Sequence, residues 1–259
     1  PPGSHADRPP PPGAHSESVM GKDGMEKQRI WELDALRGLC ICGMVSVHFC
    51  INAGWMGVLP APASWLFQAV RIGGGLIFIA LSGLCSTLGH HPVRRGLIVL
   101  GGGMLITLVT GLLCALDLAA PQLFIPFGIL HLLGTAMLLT PLLDRLPSRA
   151  LALCALCLLA AGYWCNQIPV RAPYLFPLGL AAPSFASVDW FPLLPNLGWY
   201  GLGMCLGRAL NPTPRTRLPV CWQTAAPVRF FCLCGRHSLA IYLLHQPLLY
   251  GLLLLLQKL

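Results

Sequence analysis

The chain has 259 residues, 55% of them hydrophobic and 10% charged, and its mean hydropathy of +0.68 lies outside the balance of a soluble globular domain. Its formal net charge of +8 comes from basic residues placed singly or in pairs between apolar runs. No arginine-rich or aromatic-interleaved block is present, so the charge reads as membrane topology and no nucleic-acid partner is expected. Most of the twelve cysteines fall inside apolar spans, where free thiols behave as small hydrophobes, and Cys232 and Cys234 are too close for a CxxC spacing. No zinc site, disulfide framework or other metal site is expected.

Residues 1–29, rich in Pro, Gly, Ser and charge, read as a disordered polar tail ahead of a transmembrane domain over 30–259. Seven apolar runs follow, at 36–57, 66–88, 96–116, 123–143, 148–165, 192–210 and 230–256. Each approaches the length a helix needs to cross roughly 30 Å of hydrocarbon. The predicted fold is therefore all-α, a polytopic transmembrane helix bundle of about seven spans. Lys22, Lys27 and Arg29 precede the first run. Arg94 and Arg95, Arg145 and Arg149, and Arg208, Arg215 and Arg217 occupy every second connection after it, whereas the alternate segments carry mainly Arg171 and Lys258. The Lys/Arg bias of cytoplasmic loops then puts the N-terminus inside and the C-terminus outside. Gly73 to Gly75, Gly101 to Gly103, and Gly203 with Gly207 lie inside spans and read as close-packing positions. The Pro- and aromatic-rich segment 166–191 reads as an ordered cap over the outer face.

Asp34, Arg37 and His48 fall on one stripe of the first helix, since the steps from Arg37 to His48 at about 100° per residue return to within roughly 20° of the same face. Ionisable groups in a bilayer cost about 2.5 kcal/mol or more and usually face a bundle interior or a wet path. His48 lies near the midplane, and the predicted depths of His131 on the fourth span and His245 on the seventh put three histidines in one layer. Ser238, Tyr242 and His245 form a second polar stripe at i, i+4 and i+7. An imidazole suits proton abstraction from an attacking hydroxyl or amine, or brief carriage of an acyl group. It equally suits an interhelical hydrogen bond, and Asp34 with Arg37 can serve as an ion pair at a helix start. Arg71 can snorkel outward or bind an anionic group, and Asp189 can cap the sixth helix or touch an acceptor. The inner arginines, above all Arg94 and Arg95, suit the phosphates of a cytosolic donor, although topology also accounts for them.

The run RIWELDALRGLCICGMVSVHF, followed by RRGLIVLGGGMLITLVTG, IPFGILHLLGTAMLL, SVDWFPLLPNLGWYGLGMCLG and GRHSLAIYLLHQPLL, resembles the catalytic-domain family of heparan-alpha-glucosaminide N-acetyltransferase, particularly its small bacterial members. The resemblance extends from about Arg29 to the C-terminus. The LDALRG start with His48 eleven residues after Arg37 is also similar to the first helix of the broader membrane acyltransferase superfamily that O-acetylates sugars and polysaccharides. The resemblance implies an acyltransferase that moves acetyl from cytosolic acetyl-CoA to an amino or hydroxyl group of a sugar or envelope glycan. That protein would be multi-pass in the plasma (bacterial inner) membrane, with the lipid bilayer, acyl-CoA and a glycan as partners and a homo-oligomer left open. The resemblance ranks Arg37 and His48 first as catalytic residues, and the residue reading adds Asp34 beside them, Arg94 and Arg95 at the donor, and His131, His245, Arg71, Asp189 and Tyr242 at the acceptor. One departure narrows it: animal lysosomal members place the histidine proposed for acetyl transfer in the loop after the first span, and residues 49–89 here contain none. The competing readings are a proton-coupled transporter or exporter of a small solute and a non-catalytic membrane scaffold. The transporter reading lacks a recognisable inverted repeat or paired broken helices.

Overall fold

The computed structural model describes residues 30–60, 64–165, 167–168, 173–210 and 218–258. The polar tail with Lys22, Lys27 and Arg29, and the loop residues Arg171, Arg215 and Arg217, lie outside the described residues. The described residues form helices and connecting turns with no strand: α1 (Trp31–Trp55), α2 (Trp65–Leu88), α3 (Pro92–Ala115), α4 (Ile129–Leu143), α5 (Ser148–Cys165), α6 (Leu193–Leu210), the single turn α7 (Val220–Gln223), α8 (Ala226–Arg236) and α9 (Ser238–Leu256). Of these, α1, α2, α3, α5 and α9 are long and apolar enough to cross a bilayer, α4 is a shorter apolar helix, and α6 has 18 residues. The outward surface is itself apolar: Leu97, Leu105, Leu108 and Leu112 of α3 are exposed, Leu108 by 68%. A contiguous surface of that kind calls for lipid rather than water.

Two apolar runs depart from one continuous span each. The fourth was expected to be helical from residue 123, yet α4 begins only at Ile129 after a 3-10 turn at Pro121–Leu123. Pro126 lacks the amide a helix interior needs, and Gly128 takes an extended N-cap conformation, so the helix cannot start earlier. The seventh run divides at His237, which closes α8 by donating its N–H to the Leu233 carbonyl and opens α9 by accepting from Ile241.

Glycines set four of the closest helix contacts. A Cβ on Gly38 of α1 would overlap the Phe231 carbonyl of α8, and one on Gly235 would overlap the Asp34 carbonyl. The same reciprocity joins α2 to α6 through Gly83 and Gly203, α5 to α6 through Gly162 and Gly198, and α3 to α4 through Gly96 and Gly134. Small residues here let backbones touch, which drives helix association where lipid offers no hydrophobic force. The close-packing expectation describes Gly203 and Gly207, and also Gly103, which seats the His131 ring. Gly73, Gly74 and Gly101 instead face open space, and the contacts at Gly75 and Gly102 are side chains only.

Successive helices α1 to α6 alternate in direction. At one end of the bundle Arg208 donates to the Leu146 carbonyl at 2.6 Å and to Asp144 Oδ1 at 3.0 Å, and Glu32 accepts from the Leu218 N–H at 3.1 Å. At the other end Ser187 donates to the Phe124 carbonyl at 2.9 Å and Gln257 to the Met56 carbonyl at 2.7 Å. There the described part of the long connection is held by its own aromatics: Phe176 stacks on Phe185, Phe185 meets Trp190 edge-on, and Trp190 donates its indole N–H to the Phe176 carbonyl at 3.1 Å.

Candidate active site

The charged start of α1 opens onto a cavity of about 670 Å³ lined by α1, α2, α3, α4, α8 and α9. Asp34 is buried, and a buried carboxylate persists only when paired. Its Oδ1 lies 3.8 Å from Arg37 Nη1 and its Oδ2 accepts from Arg236 Nε at 3.4 Å, so guanidiniums from α1 and α8 flank it. Arg95, from the first turn of α3, lies against Gly89 and completes the charged end of the lining. Three guanidiniums against one carboxylate leave that end positive and suited to phosphate or carboxylate. Arg94, its sequence neighbour, is exposed and does not line the cavity. Phe78, Ile98, Leu133 and Met137 give apolar walls, and α9 adds Ser238 beside the charged end and, one turn further along, Tyr242.

Tyr242 connects the cavity to the loop at the far end of the bundle. Its hydroxyl donates to Asp189 Oδ2 at 2.6 Å, and the same oxygen accepts from the Ile129 N–H at 3.4 Å. Asp189 therefore caps α4 rather than the sixth helix. Burial pushes its carboxyl above the usual carboxylate range, against the opposing pull of the Tyr242 and Ile129 hydrogen bonds.

One turn further along α9 lie the histidines. His48 and His245 face each other with ring centroids 5.0 Å apart. His48 Nδ1 is 3.0 Å from the Gln246 side-chain amide, whose Oε1 accepts from Asn52 Nδ2 at 2.8 Å. His245 Nδ1 is 2.6 Å from the Tyr242 carbonyl oxygen, while its Nε2 is buried without a partner. His131 is placed apart from this pair. Its Nδ1 accepts from the Gly128 N–H at 3.1 Å, and its Nε2 lies 3.1 Å from Thr107 Oγ1, whose own proton goes to the Ile125 carbonyl at 2.7 Å. Both ring nitrogens of His131 thus serve the entry to α4. Arg71 is exposed on α2 and donates to Gln68 of its own helix at 3.0 Å, away from cavity and histidines.

Three residues of the site escaped the sequence reading. Asn52 follows His48 by one helical turn on the same stripe, a signal that was present. Gln246 adjoins His245 inside an apolar run, where an amide needs a partner. Arg236 was hidden because the run from 230 read as one span, so nothing suggested that α8 folds across the start of α1.

No curated protein and no solved structure matches the chain. The family model of heparan-alpha-glucosaminide N-acetyltransferase, catalytic, matches residues 29–247, which takes in α1 to α8, the arginine-ended cavity and both facing histidines. The chain belongs to the heparan-alpha-glucosaminide N-acetyltransferase catalytic family.

Proposed function

We propose that this protein is an integral membrane acyltransferase that takes acetyl from cytosolic acetyl-CoA and transfers it to an amino or hydroxyl group of a sugar or envelope glycan. The observation that carries the reading is the cavity: positive at Arg37, Arg95 and Arg236, apolar along its walls, and ending at Tyr242, whose carbonyl holds His245 against His48. A nucleotide diphosphate suits the guanidiniums, a pantetheine-like arm suits the apolar walls, and the thioester then arrives beside the histidine pair. Membership of the family supports the transferase class.

The bundle crosses the membrane seven times, with α1 to α6 as six crossings and α9 as the seventh, in the plasma (bacterial inner) membrane. Arg94, Arg95, Arg145, Arg149, Arg208 and Arg236 all stand at the helix ends beside the start of α1, which supports a cytosolic position for the cavity mouth and an outside C-terminus.

The test is purified full-length protein with labelled acetyl-CoA and an envelope glycan extract. Label entering the glycan in the wild type and lost in His48→Ala is the expected outcome. Solute movement into proteoliposomes without acyl-CoA, together with no label transfer, would replace this reading with a transporter.

A further inference from the structure

The facing histidines carry opposite proton patterns. The Tyr242 carbonyl oxygen can only accept, so the His245 proton sits on Nδ1 and Nε2 presents a bare lone pair. That lone pair is buried with no partner, and a sealed unsatisfied acceptor calls for a physical explanation. His48 is held the other way. The Gln246 carboxamide spends its oxygen on Asn52 and turns its NH2 toward His48 Nδ1, so neutral His48 carries its proton on Nε2. An N–H donor and a vacant acceptor thus lie on two rings 5.0 Å apart, one turn beyond the end of the cavity.

We infer that His245, rather than His48, takes the proton from the acceptor, and that Gln246, oriented by Asn52, is a positioning residue holding His48 as a donor to the thioester carbonyl. The inference rests on the acyltransferase reading and assigns roles within it. The acceptor oxygen or nitrogen bonds to the thioester carbon, and its proton passes to His245 Nε2. Charge gathering on the carbonyl oxygen is met by the His48 Nε2–H. The carbon–sulfur bond then breaks and the departing thiolate takes the proton from His245, leaving an acyl ester or amide, free coenzyme A and both imidazoles neutral. No oxidant or reductant takes part. His48 is only partly buried and faces His245 at 5.0 Å, so an acceptor that meets His48 would pass its proton to His245 directly or through one hydroxyl or water. Enclosure of the lone pair keeps bulk water from competing for the thioester.

The full-length chain, labelled with 15N-histidine and held in detergent near neutral pH, reports each ring's tautomer by long-range 15N–1H correlation, with His48→Gln and His245→Gln assigning the signals. Expected are an Nδ1–H His245 and an Nε2–H His48, and a switch of His48 to Nδ1–H in Gln246→Glu, whose carboxylate can only accept. The opposite tautomer at either ring of the wild type overturns the inference without touching the acyltransferase reading. In turnover of labelled acetyl-CoA with glucosamine and envelope glycan extract, His245→Gln is expected to lower kcat by about 100-fold or more. His48→Gln keeps an N–H donor near the same place and is expected to stay within about 10-fold of wild type. The KM for acetyl-CoA should hold in both. The reverse order of the two variants overturns the inference alone; a wild type inactive with acetyl-CoA overturns the acyltransferase reading together with the role given to His245.

Discussion

The Tyr242 hydroxyl donates to Asp189 Oδ2 across 2.6 Å and so joins a residue of the cavity lining to the loop at the far end of the bundle. The same Asp189 oxygen receives the first amide of α4, so loop, α4 and α9 meet on one carboxylate. Helix entry and cavity floor are therefore one structural unit.

Burial raises the Asp189 carboxyl, and the sign of its contribution follows. A group that holds its proton more tightly in the folded state adds stability that is fully present below the unfolded value, about 3.9 for aspartate, and is lost as pH rises through the folded value. Wild-type protein should lose this contribution over the pH window that opens at about 4 and runs up through the raised folded value. Asp189→Asn cannot ionise, and its amide oxygen can still accept from Tyr242 and Ile129. Its melting temperature should vary less with pH over that window than the wild type's. A variant with an equal or steeper decline would show that Asp189 does not titrate in this way.

The charged end of the cavity predicts a graded response among neighbouring arginines. Arg37, Arg95 and Arg236 line it, whereas Arg94, next in sequence to Arg95, does not. A charge-assisted contact is worth about 1.5–3 kcal/mol, so Arg95→Ala or Arg236→Ala should raise the KM for acetyl-CoA by about 10-fold or more with kcat largely kept. Arg94→Ala should change it by less than about twofold, as for a surface charge outside the lining. Equal effects at Arg94 and Arg95 would mean that the donor does not enter through this cavity.

Glycines that look alike in sequence should behave oppositely. A Cβ on Gly83 would overlap the Tyr200 carbonyl oxygen across the α2–α6 contact, and a backbone atom cannot step aside as a flexible side chain can. Gly83→Ala should cost about 1–3 kcal/mol, seen as a lower melting temperature in detergent. Gly101 meets nothing within 4 Å. Gly101→Ala should be neutral or add up to about 1 kcal/mol through helix propensity.

These contrasts mark what the sequence could convey. Asp34, Arg37 and His48 were legible because ionisable groups are rare in an apolar run and the helical period ties them to one face. Apart from the Asp34–Arg37 pair one turn apart on α1, the partners were not legible, because they come from elements far away in the chain. Asp189 meets Ile129 across 60 positions and Asp34 meets Arg236 across 202. Hydropathy likewise found the apolar runs but not their interruptions: Pro126 and Gly128 carry the signal that delays α4, yet they hardly alter the mean of the run. The break at His237 depends on α8 finding a glycine-lined seat on α1, which no local pattern encodes.

The two facing histidines and His131 give the last prediction. Both nitrogens of His131 are used, one accepting the Gly128 amide and the other bonded to Thr107, and its ring fills the space beside Gly103. Replacement by leucine would leave the Gly128 N–H and the Thr107 hydroxyl oxygen without that partner in a buried setting, at a cost of about 1–3 kcal/mol for the orphaned group. His131→Leu should therefore melt at a lower temperature while the folded fraction keeps a kcat within about threefold of wild type. His48→Ala should do the reverse, because its ring is only partly buried and its loss removes a donor beside the thioester, lowering kcat by about 100-fold. Thermal unfolding and labelled acetyl-CoA turnover on the same preparations separate the two. A His131→Leu protein of normal stability but without activity would move His131 from the entry of α4 into the reacting layer.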